Sequence, residues 1–463
     1  MRKALALSLV LAAGCGESSE GALPITGSGG GGVSGGGGNP GPTPTPLPDD
    51  VRTTQATLTV PVDEDGLQTI DLSYITIGRP SATRALVLHF GGPGSSAVDT
   101  LPVFLSFLPP ATLQTLFDNF LLVGLDEIGV GGSEAFNCDG VEFDVDSFTE
   151  GALTSAAAQF VTACQADYDF IELLGTPRYA RDLERLRVAL GFETFDFLGY
   201  SYGTQVALTY AALFPDSSGA LVLDSPVDPR DSFPDRSVGQ SLGLSRALQA
   251  FFDFCDRAGT GCDFGGGDAE GAFDRLYSRF NGSGQVDNQI NIEATVAQFT
   301  IVEELWPALG EQLTAFESLS TIPGVAAEVG AGAFFGTTCA DLPIASIDEI
   351  RTANTQIMMG EEVFERTLYA TLFPCLTWGT SSEAIAWDTV LPTLDNVLVV
   401  GADGDSRTPV EFADSLSAAL TGEVRVRGTQ FSHAIGLQTL NTCLDDAILE
   451  FLTDGTVSTT DCP

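Results

Sequence analysis

The chain has 463 residues, 44% of them hydrophobic and 18% charged, a globular balance with enough apolar mass for a large core. Lys plus Arg number 20 against 62 for Asp plus Glu, and the resulting net charge of −42 repels phosphate backbones, which excludes a nucleic-acid partner. With two histidines, His89 and His433, the composition offers no His-rich zinc site, and neither a metal nor an organic cofactor is expected.

Arg2 and Lys3 precede an apolar run from Ala4 to Ala13, and small residues then lead to Cys15. This pattern predicts a signal peptide over residues 1–15, too short to span a bilayer as a mature helix. Leu11-Ala12-Ala13-Gly14-Cys15 resembles a bacterial lipoprotein box, with Ala12 where the common form has Leu, and implies lipidation at Cys15. An ordinary cleaved signal is the alternative. Gly16 is no inner-membrane retention Asp, so the resemblance places the anchor at the outer membrane, the only membrane contact expected. Residues 16–50 are Gly/Ser-rich, then Pro/Thr-rich, and predict a tether outside the fold.

Thr57–Val62 and Thr69–Gly78 alternate like half-exposed antiparallel strands. Ala85–Phe90, Phe120–Asp126, Thr194–Gly199, Ala220–Asp224 and Asn396–Gly401 are continuous apolar runs, which suit strands covered on both faces. Helical segments such as Tyr179–Leu190 and Tyr202–Phe214 lie between them, so an α/β fold with a mostly parallel sheet is predicted. The rhythm stops over residues 231–388, which read as a helical insertion, a lid, dividing a core of residues 51–230 from its C-terminal part, 389–463. A last strand over Glu423–Arg427 and a terminal helix near Leu440–Leu452 complete the pattern. Apart from Cys15 there are eight cysteines, an even set that implies disulfides and export to an oxidising compartment. Pairing of sequence neighbours is the working expectation: 138 with 164, 255 with 262, 339 with 375, and 443 with 462.

The chemistry-bearing residues follow the strands. Gly199-Tyr200-Ser201-Tyr202-Gly203 is Gly-x-Ser-x-Gly between a strand and a helix, the context in which a sharp turn exposes a nucleophilic hydroxyl. Ser201 needs a base. His433, between the last strand and the terminal helix, is the candidate, whereas His89 ends a buried strand and reads as a packing or loop-orienting residue. Asp405, with Asp403 as its alternative, follows the strand at 396–401 and gives the chain order Ser, Asp, His. The loop Gly91-Gly92-Pro93-Gly94 is placed to supply an oxyanion donor from the Gly92 N–H, with the Tyr202 N–H as the second.

Together these motifs, with Leu221-Val222-Leu223-Asp224, Asp405-Ser406-Arg407-Thr408-Pro409 and Arg181-Asp182-Leu183, resemble the prolyl and tripeptidyl aminopeptidase branch of α/β-hydrolase serine peptidases, over most of residues 55–463. Two positions depart from that family: Ile128 stands where arginine is usual, and Ser432-His433-Ala434 replaces Gly-His-Gly. The resemblance implies an aminopeptidase acting on peptides with a free N-terminus, whose ammonium is held by lid acids. Glu303 and Glu304 are the candidates; a solvated helix face is their other reading. An esterase on the same fold and a non-catalytic surface-binding lipoprotein are the rival functions.

Overall fold

The computed structural model describes residues 46–62, 66–138, 149–166, 168–257, 261–281, 285–324, 331–360, 364–438 and 440–463. Residues 1–15, Cys15 among them, and the tether up to residue 45 lie outside the described residues. The strands are β1 (Arg52–Pro61), β2 (Thr69–Gly78), β3 (Arg84–His89), β4 (Phe120–Leu125), β5 (Phe195–Tyr200), β6 (Ser218–Asp224), β7 (Val397–Ala402), β8 (Val424–Gly428) and β9 (Asp461–Cys462). They form one nine-stranded sheet in the order β1-β2-β4-β3-β5-β6-β7-β8-β9. Only the β1–β2 and β2–β4 pairings are antiparallel. From β4 to β9 the neighbours are parallel.

Side-chain alternation along the central strands builds two cores. Ala85, Val87, Phe195, Phe197, Leu221 and Leu223 face helices Glu150–Gln165, Thr176–Leu190 and Tyr202–Leu213. Leu86, Leu88, Leu198, Tyr200, Val222 and Val400 face helices Ala97–Phe107, Pro110–Asn119 and Thr442–Asp454. The continuous apolar runs in the sequence are the consequence of covering both faces. Strand β1 begins at Arg52, earlier than alternation suggested, because its polar first residues are held by register against β2, with Arg52 opposite Gly78. Strand β9 has no sequence signature; it is two residues paired with β8 and tied to the last helix by Cys443–Cys462.

Between β6 and β7 the described residues form helices and loops. They divide by packing. Leu244, Phe251, Phe273, Ile292, Trp306 and Leu313 make a separate apolar cluster, whereas Cys339, Ile350, Phe373 and Trp378 join the core under the sheet. Disulfides pair Cys138 with Cys164, Cys255 with Cys262, Cys339 with Cys375 and Cys443 with Cys462, as sequence proximity suggested. Such bonds persist in oxidising compartments and stabilise chiefly by restricting the unfolded chain. Among the described residues no helix is long and apolar enough to cross a membrane.

Candidate active site

Strand β5 ends at Tyr200, and helix Tyr202–Leu213 begins immediately after Ser201. Ser201 adopts φ 54° and ψ −124°, a conformation that L-residues populate only when their surroundings impose it. The two flanking glycines show what imposes it. A Cβ on Gly199 would lie 2.4 Å from the Gly203 carbonyl oxygen, and one on Gly203 would lie 2.5 Å from that of His89. The turn therefore closes only with glycine at both places, and the helix N-terminus points its partial positive charge at Ser201.

The end of β6 organises the rest. The Ser201 N–H donates to the Asp224 carbonyl at 2.9 Å, while the Asp224 carboxylate accepts from Ile435 N at 3.3 Å and Gly436 N at 2.5 Å. One residue on, Ser225 Oγ accepts from Ala434 N at 2.8 Å and its side chain also hydrogen-bonds Asp405. The Ser201 turn and the His433 loop thus hang from the same two residues. Burial pushes the Asp224 carboxyl up to about 6, against the two backbone donors.

Asp405 is fully buried in the turn after β7. Its Oδ1 accepts from Arg407 N and Thr408 N, both at 2.8 Å, and its Oδ2 from Thr408 Oγ1 at 3.0 Å. His433 Nδ1 lies 3.0 Å from each carboxylate oxygen, and 3.2 Å from Thr408 Oγ1. Burial alone would raise the Asp405 carboxyl, but the His433 charge and hydrogen bond, with those donors, hold it below the ordinary carboxylate value. His433 meets Asp405 and not Asp403, whose side chain pairs with Arg427 at the surface. Ala434 takes φ 58°, a left-handed conformation natural to the glycine that the resembled family has there; the bond to Ser225 holds it.

The glycine loop closes over Ser201. A Cβ on Gly91 would sit 3.0 Å from Ser201 Cβ and 3.5 Å from its Oγ. The Gly91 N–H donates to His89 Nδ1 at 3.2 Å. Gly92 is exposed toward solvent with φ 107°. Ile128, in the place of the family's arginine, is buried in the apolar core.

Glu303 and Glu304 lie in a short 3-10 turn beside the His433 loop. His433 N donates to Ile301 O and Glu303 N to Phe431 O, each at 2.9 Å, around an antiparallel bridge between Val302 and Ser432. Glu303 is exposed and Glu304 half-buried. Partial burial, then repulsion from Glu304, raises the Glu303 carboxyl, with Arg257 opposing. Among the described residues no cluster of acids, histidines and cysteines has the arrangement of a metal site.

The roles of three residues of this constellation escaped the sequence: Asp224, Ser225 and Thr408. Asp224 ends a recognisable motif, but nothing local distinguishes its role, and Ser and Thr are too common to stand out.

Comparison with known proteins matches residues 84–264 to the alpha/beta hydrolase fold family and residues 361–462 to the family described as TAP-like protein. The chain is similar to serine protease Hip1 of Mycobacterium tuberculosis, 32% identical over 225 residues, covering 45% of this chain and 42% of the relative. It is similar to tripeptidyl aminopeptidase of Streptomyces coelicolor, 33% identical over 190 residues, 37% of this chain and 35% of the relative. Carboxylesterase B of Mycobacterium tuberculosis is 27% identical over 228 residues, 45% of this chain and 43% of the relative. These matches span less than half the length of each relative. The two family matches, the sheet order and the strand-turn-helix at Ser201 converge: the chain has the α/β-hydrolase fold, and its C-terminal part is similar to the family described as TAP-like protein.

Proposed function

We propose that the protein is an exported serine hydrolase that releases residues or short peptides from free peptide N-termini through an acyl-enzyme. The observation that carries this reading is the His433–Asp405 pair, suspended from the same strand end as the Ser201 turn. His433 Nδ1 faces Asp405, which leaves Nε2 to accept the Ser201 proton as Oγ attacks the scissile carbonyl. The N–H groups of Gly92 and Tyr202 stabilise the oxygen that gains charge. His433 then returns the proton to the departing amine nitrogen, and a water deprotonated by the same ring hydrolyses the ester. Glu303 and Glu304, in the segment that two backbone hydrogen bonds tie to the His433 loop, are suited to hold the substrate ammonium. The four disulfides support export, and lipidation at Cys15 would anchor the protein to the outer membrane through residues 16–50.

Incubation of a peptide library with wild type and Ser201→Ala tests the reading. N-terminally shortened peptides are expected from wild type alone, with N-acetylated peptides left intact. Turnover of aryl esters without any peptide shortening would instead favour an esterase, the activity in the name of the carboxylesterase relative. Failure of a fluorophosphonate to label wild-type Ser201 would favour a binding protein on this scaffold.

A further inference from the structure

A second imidazole–carboxylate pair lies beneath the glycine loop. His89 and Glu127 are both buried, with His89 Nε2 3.1 Å from Glu127 Oε1. The ring is held edge-on by Tyr179 and Tyr202, each centroid 5.5 Å away. Gly203, the last glycine of the serine motif, leaves room for it: a Cβ there would lie 3.0 Å from His89 Nδ1.

The hydrogen bonds decide the tautomer. Nδ1 accepts from the Gly91 N–H at 3.2 Å, so the ring proton is on Nε2 and is donated to Glu127. The same carboxylate also approaches the glycine loop and the side chain of the residue after Ser201. Its Oε1 lies 3.5 Å from Gly94 N, and its Oε2 lies 3.5 Å from the Tyr202 hydroxyl. The closer partner of that hydroxyl is Thr176 Oγ1 at 2.7 Å, so the strong link from Glu127 runs through His89. With its N–H bound to His89, Gly91 cannot serve the substrate. Among the described residues no protein group takes the Gly92 N–H.

We propose that His89 and Glu127 are positioning residues for acyl-oxygen binding. The imidazole captures the Gly91 amide so that the loop presents the Gly92 amide, and Glu127 fixes the ring in the tautomer that does so. The proposal rests on the acyl-enzyme reading above.

Two substitutions separate this role from simple satisfaction of a buried acid. His89→Asn keeps an acceptor where Nδ1 stood but abandons Glu127. His89→Gln keeps a donor for Glu127 but abandons the Gly91 N–H. Steady-state kinetics on an aminoacyl anilide, the rate of fluorophosphonate labelling and thermal melting are measured on the full chain for each. His89→Gln is expected to lose about 10²-fold in kcat and labelling rate, the scale of a lost oxyanion donor, with KM little changed. His89→Asn is expected to recover most of that rate while melting lower. The reverse ranking, with His89→Gln as fast as wild type and His89→Asn slow, overturns the proposal. So does equal loss in both in proportion to melting temperature. A wild type that never labels removes the acyl-enzyme reading itself. A wild type that labels, alongside a His89→Gln that labels equally fast, removes only this inference.

Discussion

At the residue scale, the contrast between Asp403 and Asp405 is the sharpest test of the site. Both follow β7, yet Asp405 holds His433 while Asp403 pairs with Arg427 at the surface. Asp405→Asn should lower kcat by about 10⁴-fold through loss of the correct imidazole tautomer, whereas Asp403→Asn should leave kcat near wild type. Because the Asp405 carboxyl is held below its ordinary value, it stays ionised as the pH falls, and the acid loss of kcat should follow protonation of the imidazole alone. Glu303 shifts the other way. Its carboxyl takes up a proton at higher pH than a free glutamate and then no longer attracts an ammonium. KM for peptides with a free N-terminus should therefore rise on acidification in wild type, and Glu303→Gln should flatten that rise. A motif of five residues makes Ser201 legible, because glycines at both ends dictate the local backbone. The sequence favoured Asp405 over Asp403, two residues before it, but left Asp403 as an alternative, since the choice depends on side-chain direction within the folded turn.

At the scale of elements, the His433 loop has no regular structure of its own. It is held by the end of β6 on one side and by residues 301–303, from the segment between β6 and β7, on the other. A segment more than a hundred residues away in sequence thus shapes the His433 loop, which no periodicity reports. Strand β9 illustrates the same limit. Its two residues join the sheet because Cys462 is bonded to Cys443 on the last helix. Replacing both cysteines by serine should cost about 2–4 kcal/mol in denaturant unfolding, with little change in kcat because neither is hydrogen-bonded to Ser201, Asp405 or His433. Loss of activity equal to the loss of stability would show that the sheet edge supports the His433 loop.

For the whole molecule, pH should act on stability and activity in opposite directions. Burial raises Asp126 and Asp224 to about 6, and Asp231 likewise with Asp228 repulsion adding to it. The folded state therefore binds these protons more tightly than the unfolded one. Their contribution is fully present below the unfolded value and is lost as pH rises through about 6. Self-repulsion from the net charge of −42 grows over the same range. Thermal melting should be higher near pH 5 than near pH 8, while turnover is lower, and added salt should narrow the gap in melting by screening surface charge. A melting temperature that climbs steadily from pH 5 to pH 8 would contradict the buried-acid account.

By itself the amino-acid order determined what short-range physics encodes. Strands covered on both faces are continuous apolar runs, the Ser201 turn is written in its flanking glycines, and near-neighbour cysteines find each other. Tertiary structure alone decided that the Ser201 turn and the group of residues 405, 408 and 433 are both tied to residues 224 and 225 at the end of β6. Their convergence depends on strand order and on which strand ends share an edge of the sheet, quantities set by packing the whole chain at once. It also decided that His89 reaches Glu127 and the Gly91 amide, a contact made possible by a glycine in a different motif.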